Sequence, residues 1–130
     1  MPALPSILLV DDEERFRLNL KKMLGAHGLT VTALGSGPEA LEELARQPYD
    51  VILLDVRMPG MDGLATLAAI KKAHPDCEVI ILTGHASVDA AAEIIRLGAS
   101  EFLLKPCPIE EILAKIETTY DRKLARQERE

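Results

Sequence analysis

Cysteines and aromatic residues are scarce in this sequence. Among 130 residues there are two Tyr, two Phe, no Trp and only two cysteines. Cys77 and Cys107 lie far apart along the chain and lack the close spacing of a metal-binding or redox motif. We interpret both as reduced thiols in the core or in a loop.

Long apolar runs and an excess of positive charge are also missing. No apolar segment approaches the roughly 20 residues that a membrane-spanning helix needs. The opening stretch MPALPSILLV has neither the basic region nor the cleavage pattern of a signal peptide. We therefore expect a cytoplasmic protein without a membrane partner. The net charge of −6 argues against direct nucleic-acid binding, which requires clustered Lys and Arg.

The composition is that of one ordinary globular domain. Hydrophobic residues make up 48% and charged residues 28% of the chain, and the length suits a single core. We expect this domain over residues 1–120. The charged segment 121–130 is expected to continue the last helix or to begin a linker to a further domain.

Short apolar runs alternate with longer amphipathic stretches, which predicts a doubly wound α/β fold with a parallel sheet and helices on both faces. The second run alternates Thr30 and Thr32 with apolar residues, as a half-exposed edge strand does. With that strand at the edge, the expected order is 2-1-3-4-5, as in flavodoxin-like sheets. The five predicted strands are 7–10, 29–34, 51–54, 79–82 and 102–104.

Each amphipathic stretch carries one apolar stripe at helical spacing, which we expect to face the sheet. In the first stretch the stripe consists of Phe16, Leu20, Met23 and Leu24. In the fourth stretch it consists of Val88, Ala91, Ala92 and Ile95.

Functional groups follow four of the five apolar runs. Asp11 and Asp12 follow the first run, Asp55 the third, Thr83 the fourth and Lys105 the fifth. A single Asp after a strand is commonly a helix cap or a turn residue. In open parallel sheets, however, ligands bind beyond the carboxyl ends of the strands. The set as a whole therefore indicates a binding site.

Three carboxylates at this edge would repel one another. At 5 Å and an effective dielectric constant of 20, each pair costs about 3 kcal/mol, so the cluster must bind a cation or take up a proton. Oxygen ligands without His or Cys suit Mg²⁺ or Mn²⁺. With such an ion, Asp55 could serve as a nucleophile toward phosphorus, while Lys105 and Thr83 contact phosphoryl oxygens.

Four stretches together resemble the receiver domain of two-component response regulators, from about residue 7 to about residue 120. They are LLVDDEE, VILLDVRMPGMDGL, ILTGHAS and EFLLKP. Through DVRMPGMDG and TGHAS, the sequence is most similar to the receivers of nitrogen-regulation-type transcription activators.

The resemblance implies a phosphorylation site. Asp55 would accept a phosphoryl group from a sensor histidine kinase, and Thr83 and Lys105 would contact it. The Mg²⁺ ligands would be Asp11, Asp12, Asp55 and the backbone carbonyl of Arg57. Such a domain catalyses its own phosphorylation and dephosphorylation but is not a conventional turnover enzyme.

The resemblance also implies a switch, in which Thr83 moves toward the phosphoryl group and Phe102 rotates inward. A plain core Phe is the alternative for Phe102. Arg57 and His85 would tune the phosphate lifetime, with an exposed loop residue as the alternative for His85. The peptide bond before Pro106 is expected to be cis.

The expected output surface is formed by helix 4, strand 5 and helix 5, and would act on a fused or separate output domain or form a homodimer. Three alternatives stay open at this point. A pseudo-receiver would bind proteins without phosphorylation. A haloacid-dehalogenase-type phosphatase would need an Asp where Arg57 stands and a nucleophile after the first strand. A flavin-binding module is disfavoured by the acidic site and by the scarcity of aromatic residues.

Overall fold

The computed structural model describes residues 4–56, 63–84 and 88–128, in which strands and helices alternate strictly. The strands are β1 (Ser6–Val10), β2 (Thr30–Leu34), β3 (Val51–Leu54), β4 (Glu78–Thr83) and β5 (Glu101–Leu104). The helices are α1 (Glu14–Ala26), α2 (Gly37–Arg46), α3 (Gly63–Ala73), α4 (Val88–Arg96) and α5 (Ile109–Glu128). Within the described ranges, no helix has the length and apolar character needed to cross a bilayer.

All neighbouring strands pair in parallel, in the order β2-β1-β3-β4-β5. The predicted fold class and strand order are therefore confirmed. Strand β2 lies at an edge, and Thr30 is exposed while the rest of the strand is half-buried. The partial burial of this edge strand fits its mixed polar and apolar sequence, whereas the central strands are fully buried and continuously apolar.

Strand β3 shows how the sheet divides the core into two layers. Ile52 and Leu54 point into a cluster covered by α2, α3 and α4, whereas Val51 and Leu53 point into a cluster covered by α1 and α5. All four side chains are fully buried. A strand with helices on both faces has no solvent side, so every position favours an aliphatic residue.

Helix α4 packs on a different face from the predicted one. Val88 is 86% exposed and Ile95 is 53% exposed, whereas the neighbouring Ile94 is fully buried. Ile94 and Leu97, which are three positions apart, are the residues of this segment that pack into the core.

The stripe predicted on α1 is also partly wrong. Leu20 and Leu24 are buried, and Phe16 packs against the same cluster from a half-buried position. Met23 is 45% exposed.

Helix α5 reaches the amino edge of the sheet, opposite the strand ends that carry the predicted site. There Glu78, the first residue of β4, is only 6% exposed. Its Oε1 accepts a hydrogen bond from Nη1 of Arg126 at 2.8 Å, and its other carboxylate oxygen accepts one from the Ser100 hydroxyl. The last turns of α5 are thereby attached to the sheet.

Candidate functional site

The parallel hydrogen-bonding pattern continues one residue beyond the strands at the carboxyl edge. The Asp55 amide donates to the Val10 carbonyl at 3.0 Å, and the Lys105 amide donates to the Thr83 carbonyl at 2.9 Å. These bonds place Asp55 beside the end of β1, and Lys105 beside the end of β4. The site therefore lies at the switch point between β1 and β3, where ligands bind in sheets of this order.

Three carboxylates meet at this switch point. Asp11 is 1% exposed and Asp55 is 5% exposed, whereas Asp12 is exposed to solvent. One oxygen from each residue lies within 4.8 Å of the other two. Three hard oxygen donors at this separation, one of them open to water, suit a hydrated divalent cation such as Mg²⁺.

Lys105 brings positive charge into the acidic cluster. Its Nζ lies 2.7 Å from Oδ2 of Asp11, 3.3 Å from Oδ2 of Asp55 and 3.3 Å from Oε1 of Glu13. Burial by itself would lower the pKa of Lys105, but the hydrogen bonds and negative charges of Asp11 and Asp55 raise it above its usual value. The ammonium group is therefore charged at neutral pH.

The pairing of Asp11 with Lys105 does not fully stabilise the ionised form of the Asp11 carboxylate. Burial raises the pKa of Asp11, and the nearby charge of Asp55 adds to the increase. Hydrogen bonds from Lys105 and from the Glu13 amide oppose it without cancelling it. A further cation at the cluster would favour the ionised carboxylate, which is the form that binds metal.

Helix α1 contributes contacts that the sequence analysis missed. The Glu13 amide donates to Oδ1 of Asp11 at 2.9 Å, and Nη1 of Arg17 donates to the Asp11 carbonyl oxygen at 2.8 Å. The ring centroid of Phe16 lies 4.0 Å from Nζ of Lys105. The sequence could have indicated these contacts only through the position of the residues, because the first turns of a helix that follows an acidic pair must lie next to that pair.

A close backbone contact constrains the site from the side of α3. A Cβ atom added to Gly63 would lie 2.2 Å from Cα of Val56 and 2.5 Å from its carbonyl oxygen. Val56 directly follows Asp55, so only a glycine lets α3 begin this close to the strand that carries Asp55.

The remaining predicted residues divide into two groups. Thr83 is fully buried at the end of β4, Phe102 is half-buried and paired with Ile81, and the peptide bond before Pro106 is cis. Arg57 and His85 lie outside the residues that the structure describes, so their predicted roles stay predictions.

A largely buried acidic cluster at the β1/β3 switch point, with a lysine directly after β5, is the arrangement of a receiver domain. The sequence profile of the response regulator receiver domain matches residues 7–117, so the chain belongs to this family. The predicted similarity to nitrogen-regulation-type activators is also confirmed. The DNA-binding transcriptional regulator NtrC of Escherichia coli K12 is 46% identical over 111 residues, which cover 85% of this chain and 24% of that protein. The chain thus spans about a quarter of the length of that relative.

Solved structures agree with this assignment. A CheY-like receiver domain protein from Methanospirillum hungatei JF-1 superposes with a TM-score of 0.92 at 27% identity, covering 95% of this chain and 99% of that one. NtrX from Brucella abortus, in a complex with ADP, superposes with a TM-score of 0.91 at 29% identity. That match covers 97% of this chain and 29% of the NtrX chain.

Proposed function

We propose that this domain is a phosphoacceptor in which Asp55 takes a phosphoryl group from a sensor histidine kinase. One observation carries the proposal. The buried carboxylate of Asp55 has two further carboxylates within 4.8 Å and the ammonium of Lys105 at 3.3 Å. Membership of the receiver family supports the same conclusion.

The proposed reaction is an attack of an Asp55 carboxylate oxygen on the phosphorus of a phosphohistidine. An O–P bond forms as the N–P bond breaks, and the electron pair of that bond returns to the imidazole nitrogen. Lys105 then pairs with one oxygen of the transferred group, and the Thr83 hydroxyl donates to another. Positive charge and hydrogen-bond donors placed in advance stabilise the charge that develops during transfer.

The acidic cluster fits Mg²⁺, with Mn²⁺ as an alternative ion. The ligands would be the carboxylates of Asp11, Asp12 and Asp55 together with the backbone carbonyl of Arg57. When bound, the ion supplies positive charge that offsets the negative charge of the phosphoryl oxygens. The donor set supports this assignment, because it contains only oxygen atoms and one of the carboxylates is open to solvent.

The same groups would also limit how long the phosphate persists. The chain catalyses its own phosphorylation and later its own dephosphorylation, in which water attacks the phosphorus of the aspartyl phosphate and releases inorganic phosphate. It therefore carries a signal of limited duration and is not a conventional turnover enzyme. Arg57 and His85, two residues beyond Asp55 and Thr83, are proposed to set the rate at which water attacks the aspartyl phosphate.

The proposed switch couples Thr83 to Phe102 and then to the face formed by α4, β5 and α5. Large apolar side chains are exposed on α4 and β5, namely Val88, Ile95 and Leu104. Exposed apolar residues gathered on one face are typical of a protein interface. The partner would be an output domain, fused or separate, or a second copy in a homodimer. Because such outputs act on transcription, we propose a cytoplasmic location.

Incubation with Mg²⁺ and acetyl phosphate, followed by intact-mass spectrometry, tests the proposed function. The wild-type protein should gain one phosphoryl group, and Asp55→Asn should gain none. Asp121→Asn, an equal change at an exposed position on α5, is the matched control and should behave as wild type. A wild type that gains no mass would instead support a pseudo-receiver. Continuous release of phosphate from ester substrates would support a phosphatase.

A further inference from the structure

We propose that Phe16 is a positioning residue for Lys105. Its ring would keep the ammonium group in place while Lys105 exchanges its hydrogen bonds to the carboxylates for hydrogen bonds to the transferred phosphoryl group. The inference rests on the proposed function. It starts from the 4.0 Å separation between the Phe16 ring centroid and Nζ of Lys105, in a chain that has only two Phe and two Tyr.

The contact is close and largely removed from water. A cation within about 6 Å of an aromatic centroid is attracted by the ring, and the attraction increases when the pair is desolvated. The Lys105 side chain is 12% exposed, and Phe16 is half-buried against the α1/α5 side of the core. Both conditions for a strong cation–π contact are therefore met.

The ring differs in kind from the other partners of Lys105. Hydrogen bonds to Asp11 at 2.7 Å and Asp55 at 3.3 Å depend on direction, and they must weaken when Lys105 turns toward a phosphoryl oxygen. The attraction to a ring face does not use a particular N–H bond. Phe16 can therefore retain the ammonium group without competing with the phosphoryl group for its hydrogen atoms.

The third carboxylate partner is poorly suited to this task. The Glu13 side chain is 66% exposed and lies 3.3 Å from Nζ of Lys105. Exposed ion pairs are screened by solvent and contribute little. Among the described contacts of Lys105, the Phe16 ring is thus a partner that is uncharged and partly shielded from solvent.

The position of the ring is tied to the acidic cluster itself. The N-cap and first turn of α1 are bound to Asp11 through the Glu13 amide at 2.9 Å and through Nη1 of Arg17 at 2.8 Å. Phe16 lies between these two anchoring residues. The relative positions of Asp11, Lys105 and the Phe16 ring are therefore fixed by these contacts, as a positioning role requires.

Replacement of the ring at nearly constant size tests the proposal. In Phe16→Leu the apolar packing is largely kept and the π face is lost, whereas Phe16→Tyr keeps the face. With acetyl phosphate and saturating Mg²⁺, we expect Phe16→Leu to lower the maximal phosphorylation rate by about threefold to tenfold, in keeping with a partly desolvated cation–π contact. Phe16→Tyr should stay within about twofold of wild type on the same grounds. The donor concentration at half-maximal rate should not change, since Phe16 does not touch the donor.

Two further measurements separate positioning from folding. Leu18→Ala, on the exposed side of the same helix, should leave the rate unchanged. Progressive fluorination of the Phe16 ring weakens its electrostatic attraction with little change in size, so the rate should fall step by step with each added fluorine. This series remains informative if Phe16→Leu fails to fold.

The outcomes distinguish the two proposals. If wild type is phosphorylated but Phe16→Leu matches Phe16→Tyr, or if the rate is flat across the fluorinated series, the positioning role is overturned and the phosphoacceptor function stands. If wild type gains no phosphoryl group, both proposals fail together.

Discussion

Nζ of Lys123, on the penultimate turn of α5, lies 2.8 Å from Oδ1 of Asp50, which precedes β3. The Lys123 side chain is 10% exposed and the Asp50 side chain is 30% exposed. The other oxygen of Asp50 accepts hydrogen bonds from the amide and the hydroxyl of Ser6. One carboxylate thus joins the amino ends of β1 and β3 to the far end of α5.

Loss of the Lys123 charge should destabilise the fold. In Lys123→Met the stem is kept, but a half-buried carboxylate is left without its cation. We expect a decrease of about 1–3 kcal/mol in the free energy of unfolding, measured with urea. Lys22→Met, on the exposed surface of α1, is the matched control and should change stability little. Equal stability of the two variants would show that the ion pair contributes nothing.

The same pair sets a pH dependence. Burial acts to raise the pKa of Asp50, but hydrogen bonds from Lys123 and Ser6 outweigh it, so the folded-state pKa lies below the usual value of 3.8. A lowered pKa gives stability that is present above the unfolded-state pKa and is lost as the pH falls through the folded-state pKa. The difference between wild type and Lys123→Met should therefore be constant from pH 5 to 8 and shrink below about pH 4. A difference that grew in acid would contradict this assignment.

Mg²⁺ should stabilise the folded domain through the acidic cluster. A ligand at 100 times its dissociation constant adds about 2.7 kcal/mol to the free energy of unfolding. Asp12→Asn should lose most of this gain, because it removes an exposed ligand without disturbing the core. Without metal, the variant should be at least as stable as wild type, since one repulsive charge is gone. Thermal unfolding with and without Mg²⁺ measures both effects, and an equal Mg²⁺ response in the two proteins would exclude Asp12 as a ligand.

A methyl group at Gly63 should disturb both folding and phosphorylation. The added carbon would overlap the Val56 backbone, so α3 and the segment that carries Asp55 must move apart. Overpacking of this kind costs about 1–3 kcal/mol and sometimes more. We expect Gly63→Ala to lower the unfolding midpoint and slow phosphorylation by acetyl phosphate. Gly25→Ala is the control, because nothing lies within 4 Å of a Cβ atom there and the position is helical. It should be neutral or mildly stabilising.

The two thiols should react slowly and differ in accessibility. Burial raises the pKa of Cys77 to about 11, and burial together with Glu111 raises the pKa of Cys107 to about 11. Because the thiolate is the reactive form, alkylation by iodoacetamide should accelerate about tenfold per pH unit between pH 8 and 10. Cys107 is half-buried and should be labelled in the native protein, whereas Cys77 is 5% exposed and should require unfolding. Peptide mapping would contradict this order if Cys77 were labelled first.

The sheet and its reactive edge could be predicted because their signals are local. Alternating Thr30 and Thr32 mark an edge strand, and the residue after each apolar run shows what the carboxyl edge carries. The predicted face of α4 was wrong for an equally local reason. Ile94 and Ile95 are adjacent, so two apolar stripes fit the sequence and only the packed sheet selects between them.

Contacts between distant parts of the chain were not predictable in the same way. The Phe16 ring and the Lys105 ammonium come from opposite ends of the sequence, and Asp50 and Lys123 are 73 positions apart. Phe16 has an ordinary local interpretation as a core aromatic, and Asp50 and Lys123 as surface charges, while the predicted role of Lys105 did not include an aromatic partner. Only the folded sheet brings the partners together, because it places α1 beside the end of β5 and the end of α5 beside the start of β3.

Glu78 has a consequence for how the domain is completed during synthesis. Its carboxylate is enclosed at the amino edge, while the guanidinium that balances it arrives 48 positions later, on Arg126. A nascent chain that ends at Tyr120 contains the residues of all five strands but lacks Arg126, so Lys71 and the Ser100 hydroxyl are left to stabilise the Glu78 carboxylate at the amino edge. The ion pair between Arg126 and Glu78 can form only after the end of the last helix has been synthesised and has left the ribosome.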